Sequence, residues 1–280
     1  MKKNIFGFFS LILILFLITS CKNSQQKDAS DDKTITVAAS PAPHAEILEH
    51  IAPLLEKQGY KLIVKKFDDF VMPNKALAND DVDANYFQHV PFFNKIVKEN
   101  NYKFSIACAV HIEPMGLYSK TVKNVKDLKE EATIILSDSV ADWGRVISIL
   151  KKAKLVEVKQ GVDLENAFFE DIAKNSKNLK FIHSVQPEML IQAYNNQEGD
   201  LVAINANFAY GAKLNPLKDS LLLESDNSPY VNIVAINEGQ KSSRKIKALT
   251  KVLHEKKVQD WILKMWGGSV KPVAINDWKK

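Results

Sequence analysis

The sequence predicts an α/β fold, and three observations support that prediction. Short apolar segments with the composition of strands alternate along the chain with longer segments whose apolar residues recur at helical spacing. Strands and helices in alternation are typical of mainly parallel sheets covered by helices. Beyond residue 32, roughly 250 residues remain, which is enough for one large or two medium domains.

The first 20 residues have the pattern of a signal peptide. Lys2 and Lys3 precede an almost unbroken apolar run over residues 5–18, which is too short to span a bilayer comfortably. The run ends in Ile-Thr-Ser before Cys21, and this ending resembles the site at which lipoprotein precursors are cut, leaving Cys21 as the acylated first residue. The alternative is a plain secretory signal with an incidental cysteine.

Residues 21–32 are polar and lack apolar periodicity, which predicts a flexible tether. A cysteine that carries more than one acyl chain gives stable membrane anchorage, so no transmembrane helix is needed. We therefore expect a protein anchored by lipid to a bacterial cell membrane, facing the periplasm or the cell exterior.

Charge and cysteine content exclude two other classes of protein. Removing residues 1–20 takes away two lysines and no acidic residue, so 36 basic side chains remain against 33 acidic ones, a net charge of +3. That balance does not favour nucleic-acid binding. Acylation of Cys21 would leave Cys108 without a partner for an intramolecular disulfide, and its apolar surroundings predict a small buried side chain.

The first elements along the chain are a strand, a helix and a strand. Residues 34–37 have the composition of a strand, and Pro43 suits the first turn of the helix that follows. Gly59 ends this helix, and residues 61–67 predict a second strand. The apolar face of the helix consists of Ile47, Leu48, Ile51, Leu54 and Leu55.

The same alternation continues to the carboxyl terminus. Strands are predicted at 104–110, 132–136, 179–182, 201–204 and 231–236. Helices are predicted at 73–78, 91–99, 144–153, 187–194 and 242–265, the last ended by two consecutive glycines.

Three strings of residues carry a family resemblance. DANYFQHVP (83–91), HIEPMGLYSK (111–120) and SPYVNI (228–233) resemble the NlpA family of methionine-binding lipoproteins, and the resemblance runs in matching order from about residue 34 to residue 273. These proteins are the substrate-binding subunits of methionine ABC importers. The resemblance implies a two-lobed periplasmic-binding-protein fold, also called a Venus-flytrap fold, in which each lobe is a mixed sheet flanked by helices.

In such a fold the ligand binds at the lobe interface. We expect residues 33–117 and 226–280 to form one lobe and residues 118–225 to form the other. The implied partners are L-methionine or a close analogue, the permease of an ABC importer, and the membrane through the lipid anchor. We expect a monomer that has no cofactor and no enzymatic activity.

Arg145 is the first candidate ligand-binding residue. It follows Gly144 at the start of the predicted helix 144–153, where free amide groups and the helix dipole would favour an anion. A surface arginine on a solvated first turn is the alternative. The resemblance assigns the carboxylate-binding arginine of the family to this Gly-Arg pair.

Two asparagines are the next candidates. Asn205 and Asn232 both lie at the ends of apolar runs, where an amide can hold an ammonium group or a carboxylate without adding charge. Each could instead satisfy a turn locally. The resemblance matches both to asparagines that hold the polar end of the amino acid, and Asn207 is a weaker candidate.

A group of rings predicts the wall of an apolar pocket. Phe70, Tyr86, Phe87 and His89 form this group, and aromatic rings suit a thioether because sulfur contacts ring edges favourably. Any one of these rings alone would more often belong to the core. His111 is a further candidate, with ligand contact and a structural role both open.

The sequence departs from the family pattern just before Arg145. Asp142 replaces a neutral amide there, and it could pair with the ammonium group of the ligand or with Arg145 itself. Trp143 adds bulk beside it. This departure concerns the ligand and not the family, and another small apolar amino acid or a methionyl dipeptide is the alternative ligand.

Two other functions have weaker support. In a metal receptor the ligands would be His44, His89 and His111 with Glu46 or Glu113. No tight ligand spacing is present, so we expect no metal site. Catalysis by Cys108 or by an acid pair lacks any flanking signature, so we expect no catalytic residue.

Overall fold

The computed structural model describes residues 33–225 and 228–279. The predicted signal peptide, the tether and Cys21 lie outside the described residues. Among the residues that are described, no helix has both the length and the apolar character needed to cross a membrane.

Thirteen strands are present in the described part of the chain. They are β1 (Thr34–Ala39), β2 (Lys61–Lys66), β3 (Ala84–His89), β4 (Phe104–Ile112), β5 (Gly116–Tyr118), β6 (Thr133–Ser137), β7 (Val156–Val158), β8 (Ile172–Asn175), β9 (Lys180–Val185), β10 (Leu201–Ile204), β11 (Leu222–Leu223), β12 (Val231–Asn237) and β13 (Lys271–Pro272).

Nine α-helices connect these strands within the same residues. They are α1 (Glu46–Glu56), α2 (Met72–Ala78), α3 (Val90–Asn100), α4 (Val140–Lys152), α5 (Leu190–Asn195), α6 (Ala206–Gly211), α7 (Pro216–Asp219), α8 (Arg244–Leu253) and α9 (Lys256–Met265). A short helical turn at Pro41–Ala45 leads into α1.

The first lobe is built on a six-stranded sheet in the order β13-β4-β12-β3-β1-β2. The pairs β1–β2 and β1–β3 are parallel, whereas β12 runs antiparallel to both of its neighbours, β3 and β4. The second lobe is built on the sheet β11-β5-β10-β6-β9, in which β5 is antiparallel to β10 and β11. The expected mixed sheet in each lobe is therefore confirmed, whereas the alternation of strands and helices alone predicts mainly parallel sheets. The strands that enter each sheet from the other lobe, β12 and β5, run antiparallel to their neighbours.

The predicted helical face of α1 packs into the core of the first lobe. Ile47, Leu48 and Ile51 are fully buried against Ile35 and Val37 of β1. Residues three and four apart lie on the same side of a helix, so this spacing turns one apolar stripe toward the sheet.

The carboxyl-terminal helix differs from its prediction. A single helix over 242–265 is wrong, because the chain forms α8 and α9 with a break at His254. The imidazole of His254 lies 2.8 Å from the carbonyl oxygens of Thr250 and Ala109, so it binds the end of α8 to the neighbouring strand β4.

Two short stretches, here called the crossing segments, join the lobes. The first comprises residues 113–115 between β4 and β5, and the second comprises residues 224–230 between β11 and β12, of which 226 and 227 are not described. The boundary expected between residues 117 and 118 falls inside β5, which belongs to the second sheet. The lobe limits stay a prediction.

Cys108 of β4 is fully buried, as its apolar surroundings predict. Burial raises the pKa of its thiol to about 12, so the reactive thiolate is suppressed at neutral pH.

Candidate ligand-binding site

Side chains from both lobes surround a narrow cavity of about 20 Å³, which in this arrangement has room for about one water molecule. One part of the wall is polar and the other part is aromatic. The lining residues are Phe70, Phe87, Gln88, His89, Phe92, Glu113, Ser139, Asp142, Arg145, Asn205, Asn207 and Asn232.

Arg145 reaches the cavity from the second turn of α4, and not from the first turn as expected. The helix begins at Val140, after the extended residue Ser139, so the predicted start at residue 144 is wrong. Its free amide groups consequently lie before Arg145. Gly144 lets the neighbouring loop approach closely, because a Cβ atom there would lie 2.1 Å from the carbonyl oxygen of Leu164.

The guanidinium of Arg145 is gripped by Glu224. Nε lies 2.9 and 3.0 Å from the two carboxylate oxygens of Glu224, and Nη2 donates to Oε2 at 2.7 Å and to the carbonyl oxygen of Glu113 at 2.9 Å. The ring of Tyr230 lies beneath it, 4.6 Å from Cζ. Burial by itself would lower the pKa of Arg145, but the charge and hydrogen bonds of Glu224 outweigh it and raise that pKa.

The third nitrogen of Arg145 remains available to another acceptor. Nη1 lies 3.9 Å from Oδ1 of Asp142, which is too long for a hydrogen bond. Arg145 therefore stays charged, with Nε and Nη2 held by Glu224 and by the carbonyl oxygen of Glu113.

Asp142 has partners of its own. Its carboxylate accepts hydrogen bonds from the hydroxyl of Ser137 at 2.9 Å and from Nδ2 of Asn205 at 3.1 and 3.2 Å. Burial alone would raise the pKa of Asp142, but His89, Arg145 and Asn205 outweigh it and lower that pKa. Asp142 is thus an anion on the cavity wall, and Arg145 is not its close partner.

The two asparagines present opposite ends of their amides. Oδ1 of Asn205 is buried without a hydrogen-bond partner among residues 33–225 and 228–279. Oδ1 of Asn232 accepts a hydrogen bond of 2.9 Å from Nε2 of His44. Nδ2 of Asn232 is the donor end of the same amide. An acceptor and a donor are therefore both offered to a ligand.

Aromatic rings form the apolar part of the wall. The ring centroids of Phe70, Phe87 and Phe92 lie 6.0–6.1 Å apart, with the rings tilted or edge to face. Phe208 of α6 adds a fourth ring, 5.2 Å from Phe70. His89 joins this wall to the polar part, because its Nδ1 accepts from the amide of Phe92 and its Nε2 lies 3.7 Å from Asp142.

Tyr86 and His111 are not among the residues that line the cavity. Both are fully buried, and the hydroxyl of Tyr86 shares a hydrogen bond of 2.5 Å with Nδ1 of His111. They lie in a layer behind the wall, so ligand contact by these two residues stays a prediction.

Sequence reasoning missed Glu224 and Phe92. Glu224 stands in a segment without any motif, 79 residues from Arg145, so only the folded chain reveals the pair. Phe92 lies three residues after His89 on the same side of the chain, and that spacing could have added it to the predicted aromatic group.

Comparisons with known proteins agree with this architecture. The sequence profile described as NlpA lipoprotein matches residues 35–274. The methionine-binding lipoprotein MetQ of Bacillus subtilis is 48% identical over 276 residues, covering 98% of this chain and 100% of that protein.

Solved structures add the same relationship in three dimensions. A pheromone cOB1 precursor/lipoprotein from Enterococcus faecalis matches with a TM-score of 0.84 and 52% identity, covering 86% of this chain and 100% of that one. A nutrient binding protein from Burkholderia cenocepacia, solved bound to methionine, matches with a TM-score of 0.79 and 33% identity, covering 85% and 99%. The chain belongs to the NlpA lipoprotein family.

Proposed function

We propose that this protein is an extracytoplasmic solute-binding lipoprotein that captures L-methionine and delivers it to an ABC importer. It is a transport receptor and not an enzyme. Its relatives are likewise named as binding proteins. The observation that carries the proposal is the division of one cavity into a polar part, which suits the charged head of an amino acid, and an aromatic part, which suits a thioether.

The carboxylate of the ligand would bind at Arg145. Among residues 33–225 and 228–279, Nη1 is the guanidinium nitrogen without a hydrogen-bond partner, and Nδ2 of Asn232 is a second donor on the same wall. A charged donor and a neutral donor together suit a carboxylate.

The ammonium group of the ligand would bind at Asp142 and Asn205. Asp142 supplies a negative charge, and Oδ1 of Asn205 supplies a buried acceptor that gains its first partner. A buried acceptor without a partner costs about 1–3 kcal/mol, which ligand binding would recover. Of the two partners considered for Asp142, the ligand ammonium group and Arg145, we therefore propose the ammonium group.

The methionine side chain would lie among Phe70, Phe87, Phe92 and His89. Contacts between sulfur and a ring edge contribute about 0.3–1.5 kcal/mol each. Closure of the lobes around the amino acid would remove it from water, and the closed form would dock on the permease. We further propose a monomer, anchored through Cys21 on the outer side of a bacterial membrane.

A methionyl dipeptide is the second candidate ligand. A larger groove of about 510 Å³, open to solvent, adjoins the cavity and shares Phe70, Phe92 and Ser139 with it. A second residue of a peptide could extend into that groove.

Binding to the full chain purified in detergent tests these proposals. Free amino acids and methionyl dipeptides would be screened by thermal shift, and the best ligands measured by titration calorimetry. We expect L-methionine to give the largest stabilisation, with an affinity between micromolar and nanomolar, or about 8–12 kcal/mol. Stabilisation by another solute and none by methionine would overturn the substrate and leave the family unchanged.

A further inference from the structure

Behind the polar wall, three buried side chains face one another with unpartnered atoms. His44 Nδ1, His111 Nε2 and Glu113 Oε2 have no hydrogen-bond partner anywhere in the described chain. One ligating atom from each residue lies within 4.8 Å of the other two, and His111 Nε2 lies 3.6 Å from Glu113 Oε2. Each unpartnered buried atom costs about 1–3 kcal/mol, a cost that an occupant bound to all three side chains would recover.

The far sides of both imidazoles are held by other residues. Nε2 of His44 donates to Oδ1 of Asn232, an atom that can only accept, so Nδ1 of His44 carries a lone pair. Nδ1 of His111 shares its hydrogen bond with Tyr86. Histidines that bind a metal are usually held in this way, with the other ring nitrogen bonded to a second group.

The spacing agrees with the dimensions of a tetrahedral metal site. Bonds of about 2.0–2.1 Å place neighbouring ligand atoms roughly 3.4 Å apart and two bound imidazole centroids roughly 5 Å apart. The pair His111 Nε2 and Glu113 Oε2 is at 3.6 Å, and the centroids of His44 and His111 are 5.1 Å apart. The three ligand atoms lie within 4.8 Å of one another, so the side chains would have to close by at most about 1.4 Å to reach that spacing.

Charge favours a cation at this place. The buried carboxyl groups of Glu113, Asp142 and Glu224 face a single guanidinium, that of Arg145. Glu224 is bonded directly to that guanidinium, whereas Oε2 of Glu113 has no hydrogen-bond partner among the described residues. Glu113 also lines the amino-acid cavity, so an ion could reach the cluster from there.

We propose that His44, His111 and Glu113 form a binding site for a divalent transition-metal ion, with zinc as the best fit to two imidazoles and one carboxylate. The site goes beyond the transport function and does not depend on the identity of the amino acid. Because His44 also binds Asn232, an ion there would fix the asparagine that faces the ligand.

Cobalt titration of the full chain, purified in detergent and stripped with a chelator, tests the site. We expect one Co²⁺ per chain with the visible absorption of tetrahedral cobalt, displaced by Zn²⁺. His111→Gln and Glu113→Gln should each weaken cobalt binding by at least about tenfold. His183→Gln, which removes an exposed histidine, should bind cobalt as the wild type does.

X-ray absorption at the zinc edge of the wild-type chain gives a second measurement that needs no variant. Two imidazole nitrogens and one or more oxygens are expected in the first shell. A shell without imidazole, the absence of cobalt uptake, or cobalt binding that the two cluster variants leave unchanged would overturn the site. A methionine titration in the presence of chelator separates the two proposals. If methionine binds under these conditions and the protein takes up no cobalt, only the metal site is refuted.

Discussion

The carboxylate of Glu224 forms three contacts of 2.7–3.0 Å with the guanidinium of Arg145, and this pair occupies the junction of the lobes. Glu224 also accepts from the amide of Met115 in the other crossing segment and from the hydroxyl of Ser228. One buried carboxylate thus binds both crossing segments and α4 together. The predictions below start from this arrangement.

Arg145→Lys should keep the positive charge but remove the planar guanidinium group that bonds to Glu224 through two nitrogens. An ammonium group cannot hold Glu224 and a ligand carboxylate in the same planar geometry. We expect methionine affinity to fall by about 10- to 100-fold, equivalent to about 1.4–3 kcal/mol, in titration calorimetry. Arg244→Lys alters an exposed arginine and should change nothing; equal affinity in both variants would refute the role of Arg145.

Glu224→Gln should destabilise the protein as well as weaken binding. The substitution leaves the buried guanidinium of Arg145 uncompensated, and breaking a buried pair in this way costs about 3–5 kcal/mol. Urea unfolding would measure the loss. Glu238→Gln changes an exposed carboxylate and is the matched control. A Glu224→Gln protein as stable as the wild type would show that the pair contributes little.

Asp142→Asn tests the proposed ammonium site. The neutral amide retains the size of the side chain but removes the charge, so methionine affinity should fall by about tenfold or more in calorimetry at pH 7. Asp138→Asn, at an exposed position four residues earlier, should have no effect. Unchanged affinity for methionine in the Asp142 variant would assign the ammonium group to other atoms.

The lowered pKa of Asp142 also predicts a pH dependence of stability. A carboxyl whose folded pKa lies below its unfolded value stabilises the protein above the unfolded value, about 3.8, and that contribution disappears as pH falls through the folded pKa. The difference in unfolding free energy between wild type and Asp142→Asn should therefore be constant from pH 7 to about pH 5. It should shrink at lower pH, and a difference that grew on acidification would contradict the assignment.

Phe87→Leu tests the sulfur contact. Leucine keeps an apolar wall and removes the ring, so methionine should lose more affinity than norleucine, in which a methylene replaces the sulfur. The expected change in their ratio is about 2- to 10-fold, from a contact of about 0.3–1.5 kcal/mol. Phe168→Leu replaces an exposed ring and serves as the control. An unchanged ratio would mean that Phe87 recognises only apolar surface.

Local patterns predicted much of the fold. The apolar stripe of α1 and the buried strands β4 and β12 are confirmed, because α1 buries residues at helical spacing and both strands are near-continuous apolar runs buried along almost their whole length. The break after α8 escaped prediction, since it depends on a bond from His254 to β4, a strand 145 residues away. Strand direction escaped for a similar reason, because it follows from the return of the chain between the lobes.

Sequence reasoning predicted those site residues whose side-chain type itself suits an amino-acid ligand. Arg145, Asn205, Asn232 and Asp142 do line one cavity, but their ligand roles stay predictions until binding is measured. Glu224 shows the limit: its function arises from a partner 79 residues away, and no local pattern distinguishes it from a surface glutamate.

The crossing segments have a consequence for how affinity can change. Met115 of one crossing segment and Ser228 of the other both donate to Glu224. A rotation of one lobe relative to the other is therefore expected to displace Glu224, which holds the guanidinium of Arg145 in place. If Arg145 binds the ligand as proposed, its affinity is therefore expected to depend on the angle between the lobes. A substitution that weakens either of these hydrogen bonds should speed dissociation of the ligand even though the substituted residue does not contact it.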